Sequence, residues 1–126
     1  MSAALPFAIL PSGPLVLASA SATRRGLLQR AGFDVICLPA SIDEHAIRGA
    51  AAAEDMPAGE TAMILAEMKG KAVCQSHEFV PGQLLLAADQ ILEIEGDMLG
   101  KPVSRDEAAD QLGRLVGREH RLLTAA

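Results

Sequence analysis

Leu15-Val-Leu-Ala-Ser-Ala-Ser-Ala-Thr-Arg-Arg25 carries a short apolar stretch into two serines and two arginines. A helix-like pattern follows, Gly26-Leu-Leu-Gln-Arg-Ala31, and Gly32 stops it. Strand, turn and helix in that order predict an α/β unit in which a buried strand delivers hydroxyls, backbone N–H groups and guanidinium charge to a helix's first turn. The first N–H groups of a helix lack intrahelical partners and sit at the positive end of its macrodipole, so such a turn suits a phosphate. Arginine adds a planar fork that matches phosphate oxygens. The same residues also read as a serine N-cap followed by solvated arginines.

Working outward, Phe33-Asp-Val-Ile-Cys-Leu38 reads as a second strand closed by Pro39. Residues 45–59 mix Ala, Gly and Pro with scattered charge and read as a loop or a weak helix. Thr61 to Cys74 is an amphipathic helix, with Ala62, Leu65, Ala66, Lys69, Ala72 and Val73 on one face. Gln83 to Ala88 is a short apolar run ending at Asp89, the form of a buried strand. Ile91 to Glu95 alternates loosely, and Glu95-Gly-Asp97 makes a hairpin turn. Ser104-Arg-Asp-Glu107 is a capping box opening a helix that runs to Val116 and stops at Gly117, before a strand beginning at Arg121. The predicted order is βαβαββα plus that final strand.

Composition narrows the function class. With 126 residues, half of them apolar, the chain makes one domain at most. A net charge of −5 argues against nucleic-acid binding, which needs clustered Lys and Arg, and the absence of Trp and Tyr removes the usual base-stacking platforms. Cys37 and Cys74 show neither metal spacing nor a disulfide framework and read as buried thiols of a cytoplasmic protein. Residues 1–13 read as a disordered leader. Pro6, Pro11 and Pro14 break the apolar stretch, no positive n-region precedes it, and it is too short for a membrane span.

Helix phase separates two lysines. Lys69 lies four residues after Leu65 and four before Val73, on the apolar face, so it either snorkels or aims into a cleft. Lys71 lies four residues after Glu67 on the solvent side, where such a pair contributes a few tenths of a kcal/mol. Asp89 follows an apolar strand, where open α/β sheets place functional groups, and reads equally as a turn cap.

Ser19-Ala-Ser-Ala-Thr-Arg-Arg25 resembles the opening signature of the Maf family, written Ser-x-Ser-Pro-x-Arg-Arg, whose members are nucleoside triphosphate pyrophosphatases. Four more blocks resemble the family's in the same order: Ile42-Asp-Glu44; Leu65-Ala-Glu-Met-Lys-Gly-Lys-Ala-Val73; Ala87-Ala-Asp-Gln-Ile91; and Leu99-Gly-Lys-Pro102 with a helix ending Leu115-Val-Gly-Arg-Glu-His120. The resemblance runs from Leu15 onward. It implies a Maf/inosine-triphosphatase-like α/β fold, a mixed sheet flanked by helices. It also implies hydrolysis of a nucleoside triphosphate to the monophosphate and pyrophosphate, as house-cleaning of the nucleotide pool.

Residue by residue, the resemblance makes Asp89 the catalytic base. It gives Ser19, Ser21, Arg24, Lys69 and Lys101 to the substrate phosphates, and Glu44 with Asp89 to a divalent cation. Oxygen ligands beside a triphosphate suit Mg²⁺. A homodimer is also implied. Ala22 replaces the signature's proline. Thr23 stands where other members carry arginine or a large aromatic, a position bearing on base selection. Gln90 makes an Asp-Gln pair like the branch preferring 7-methylated GTP, whereas Asp-Thr members favour dTTP and UTP. Thr23 matches neither branch, so the pattern leans towards a modified purine. Family members continue past a strand corresponding to Leu122–Ala126 into a second lobe. Residues 14–126 therefore read as the N-terminal portion of such a domain with its second lobe missing. The alternative is a non-catalytic remnant that keeps a phosphate-binding turn and only binds nucleotide or a partner.

Overall fold

A computed structural model describes residues 13–126, and residues 1–12 of the leader expected over residues 1–13 lie outside the described residues. The described chain follows the order β1 (Leu15–Leu17), α1 (Ala22–Arg30), β2 (Val35–Cys37), α2 (Glu44–Ala53), α3 (Ala58–Cys74), β3 (Leu85–Leu86), β4 (Asp89–Ile94), β5 (Asp97–Leu99), α4 (Arg105–Leu115) and β6 (Arg121–Ala125). This is an α/β protein. Its strands form two sheets of three: a parallel one in the order β2-β1-β3 and an antiparallel one in the order β5-β4-β6. The expected mixed sheet is thus divided by strand direction. Among the described residues no helix is long and apolar enough to cross a membrane.

The chain forms two compact units. Among the described residues the first comprises 13–41 and 69–87, the second 42–68 and 88–126. In the first, β1 lies between its two parallel neighbours, with Leu17 paired to Cys37 on one side and to Leu86 on the other. Leu15, Val16 and Leu17 are all buried, so both faces of β1 are covered, which explains its unbroken apolar run. Val16, Ala18 and Val73 are its buried core, packed by Leu38, Ala40, Phe79, Leu85 and Ala87.

The second unit centres on Ala58, Ala62, Leu65 and Ile91, packed by Ile42, Ile47, Met98, Leu123 and Ala125. Its β4–β5 hairpin closes at Ile94 opposite Asp97, leaving Glu95 and Gly96 as a two-residue loop. Both have positive φ, 51° and 84°, the type I′ geometry that matches strand twist. Solvent-facing ion pairs Arg121–Glu93, Arg118–Glu95 and Arg114–Asp97 tie this hairpin to β6, α4 and the segment between them. Exposed pairs of this kind contribute only up to about 1 kcal/mol each. The hydrogen bond from Arg121 to Glu93, reinforced by the carboxylate's charge, raises the guanidinium's pKa.

One open reading is decided and two local expectations are corrected. Residues 44–53 are a true helix, because Asp43 caps it by accepting from the Ala46 N–H at 3.0 Å. The run 83–88 pairs only at Leu85 and Leu86, so Asp89 opens β4 instead of ending an apolar strand. Cys74 is exposed and Cys37 half-buried, so the thiols are free but not core residues.

Candidate functional site

In the first unit, the turn after β1 is organised by its serines. Ser21 is the N-cap of α1, its hydroxyl accepting from the Arg24 N–H at 3.2 Å. Ser19 is buried, its hydroxyl accepts from the Ser21 N–H at 3.0 Å, and the Arg24 guanidinium stands 3.5 Å from the same oxygen. The structure therefore brings Ser19, Ser21 and Arg24 together. Each hydroxyl acts as acceptor in these contacts and keeps one O–H to donate. The N-capping role read for the serine and its suitability for an anion are compatible, since capping uses only one of the orphan N–H groups. Thr23 is exposed on the first turn of α1.

Lys69 also belongs to this unit. It is 8% exposed, on the α3 face that buries Ala62, Leu65, Ala66 and Val73, whereas Lys71 is exposed. The helix phase read from the sequence is the phase of the structure. A lysine retained at a buried position is costly unless its charge is partnered, which marks it for attention.

The second unit holds Glu44, Asp89, Gln90 and Lys101. Strand alternation sends Asp89 and Ile91 to the core face of β4 and Gln90 to the other face. Gln90 is exposed there, and its amide donates to the Thr124 hydroxyl across the β4–β6 pairing at 2.9 Å. Lys101 is exposed in the segment between β5 and α4.

Sequence reasoning missed Arg48. Its Nη2 lies 3.5 Å from Asp89 Oδ2, with the Asp89 side chain 5% exposed and that of Arg48 24%. Glu44, Ile47, Arg48 and Ala51 repeat at helical spacing along one side of α2, with Ile47 packed on the core and Ala51 buried. That periodicity was present in the sequence, obscured by the Ala, Gly and Pro around it.

The molecule is thus an α/β protein with a serine–arginine turn suited to anions in one unit and a buried carboxylate–guanidinium pair in the other. The family model described as Maf-like protein matches residues 14–126, and the chain belongs to the Maf family. It is 46% identical over 112 residues to nucleoside triphosphate pyrophosphatase 1 of Jannaschia sp. (strain CCS1), covering 89% of this chain and 55% of that protein. It is 46% identical over 117 residues to the nucleoside triphosphate pyrophosphatase of Rhodopseudomonas palustris (strain HaA2), covering 92% and 55%. The dTTP/UTP pyrophosphatase of Symbiobacterium thermophilum is 41% identical over 110 residues, covering 87% and 52%. The chain spans about half the length of the curated relatives it matches.

Proposed function

We propose that this protein hydrolyses a nucleoside triphosphate to the monophosphate and pyrophosphate. The observation that carries the reading is Asp89, a carboxylate held on the core face of β4 with a guanidinium beside it, in a chain of the Maf family. Burying a carboxylate costs free energy that pure stability does not require, so the position favours chemistry. The relatives' names, nucleoside triphosphate pyrophosphatase in two organisms, support the substrate class.

Phosphoanhydride hydrolysis asks for a polyanion to be held, its charge neutralised and a water aligned. Ser19, Ser21, Arg24, Lys69 and Lys101 are the groups that would bind phosphate oxygens, the serines through O–H donors and the cations through charge-assisted bonds. Asp89 would accept a proton from water and orient it. The donor set fits Mg²⁺. Glu44 and Asp89 are hard oxygen donors, and among the described residues no group of three or more His, Cys, Asp or Glu could hold a metal. One or two carboxylates plus substrate phosphates is how Mg²⁺ is usually bound. When bound, such an ion neutralises charge developing on the phosphoryl oxygens.

The Asp89-Gln90 pair supports a methylated or otherwise modified purine, with Thr23 as a second selecting position; the name of the Symbiobacterium relative favours dTTP and UTP. The test is pyrophosphate release with Mg²⁺ from 7-methyl-GTP, dTTP, UTP and the common triphosphates. Release from at least one, lost on Asp89→Asn, is the expected result. Nucleotide binding without release from any would place the chain among non-catalytic binders.

A further inference from the structure

Arg48 faces Asp89 within the second unit, and the proposed reaction gives it no task. We propose that Arg48 is a resident counter-ion of Asp89, helping to hold the buried carboxylate charged and oriented in the nucleotide-free protein and yielding it to the divalent cation of an incoming nucleotide. The inference rests on the reading of Asp89 as a metal-holding carboxylate.

Three features support an exchangeable partner over a permanent lock. The separation of 3.5 Å is longer than the roughly 2.7–2.9 Å of a charge-assisted hydrogen bond, so this contact is chiefly Coulombic. The Arg48 side chain is 24% exposed while that of Asp89 is 5% exposed, so the guanidinium has a route to water that the carboxylate lacks. A long arginine stem permits that movement without displacing the helix. Arg48 also stands one helical turn from Glu44 on the same side of α2, which places it beside both carboxylates assigned to the cation. Arginine does not deprotonate in proteins, so it cannot make room by losing its charge. It must move, and until it does it opposes a second cation.

Mn²⁺ serves as the probe, its binding to the nucleotide-free chain followed by loss of the free-ion electron paramagnetic resonance signal. Removing the guanidinium in Arg48→Met should tighten Mn²⁺ binding by about tenfold, as expected for deleting a like charge a few ångströms away. Arg48→Lys, which keeps the charge, should stay close to the unmodified protein. The gain should vanish when Asp89→Asn is added. Circular dichroism checks folding, and Arg48→Gln replaces Arg48→Met if the latter does not fold. Asp89-dependent binding that is unchanged or weakened by loss of the Arg48 charge would overturn the proposal for Arg48 while leaving the metal reading of Asp89 intact. Binding indifferent to Asp89→Asn, or none in any variant with or without added pyrophosphate to supply phosphate oxygens, would overturn both.

Discussion

Asp89 and Gln90 are neighbours in the chain but face opposite ways, and this separates what each can do. Asp89 shares the core face with Ile91, and Gln90 is turned to solvent with its amide on Thr124. Asp89→Asn keeps the shape and removes the charge, so hydrolysis should fall by about 10²–10⁴-fold, the usual worth of a positioned general base. Pyrophosphate release by a variant with native circular dichroism measures it, and unaltered turnover would remove Asp89 from catalysis. The two lysines offer an internal control. Lys69 is buried and Lys71 exposed on the same helix. Losing a charge-assisted bond to phosphate costs about 1.5–3 kcal/mol, so Lys69→Ala should lower kcat/KM by about 10–100-fold while Lys71→Ala leaves it nearly unchanged. Equal effects would mean that neither lysine meets substrate. The burial of Lys69 was legible because 3.6-residue periodicity needs only the helix itself. The Arg48–Asp89 pair was not, because it joins two elements 41 positions apart in the sequence, and spacing within one segment carries no trace of it.

Elements were legible where their ends carry chemistry. The hairpin turn at Glu95-Gly96 was read from its residues, and the structure gives both the positive φ that type I′ demands. Gly96→Ala should therefore destabilise by about 1–2 kcal/mol, since a Cβ is disfavoured at φ 84° whatever space surrounds it. Chemical denaturation would show a lowered midpoint with unchanged slope, and an unchanged midpoint would contradict the turn assignment. The capping box at α4 forms in a shifted version. Ser104 accepts from the Glu107 N–H at 3.0 Å, but the Glu107 carboxylate reaches Val103 N–H at 3.1 Å, one residue before the cap. Ser104→Ala should cost about 1 kcal/mol, read in the same way. By contrast the sequence leaves α2 between loop and helix, because its alanines blur periodicity and only Asp43 signals the start. The strand expected over residues 83–88 was overlong because apolar content alone does not say where a neighbouring strand stops pairing.

At the scale of the whole chain, the class α/β followed from the opening strand, turn and helix, whereas the partition of the six strands among the described residues into a parallel and an antiparallel sheet did not. Partition depends on pairings between distant segments, such as Leu17 with Leu86 and Gln90 with Thr124. Each unit has a core of its own, and α3 supplies both: Ala58, Ala62 and Leu65 to one, Val73 to the other. The helix is continuous from Ala58 to Cys74, so melting one half leaves the other short and costly to nucleate. Leu65 is fully buried, and Leu65→Ala should cost about 2–5 kcal/mol from lost burial and the cavity left behind. Against a typical domain stability of about 5–15 kcal/mol, that is a large fraction. Because the helix is shared, the loss should not stay in the second unit. Thermal unfolding of Leu65→Ala is expected to remain one transition, at a lower temperature. The amides of β1 and β4 should lose hydrogen-exchange protection together. Protection lost in β4 and β6 but retained in β1 would show instead that each unit stands on its own core and that α3 does not couple them.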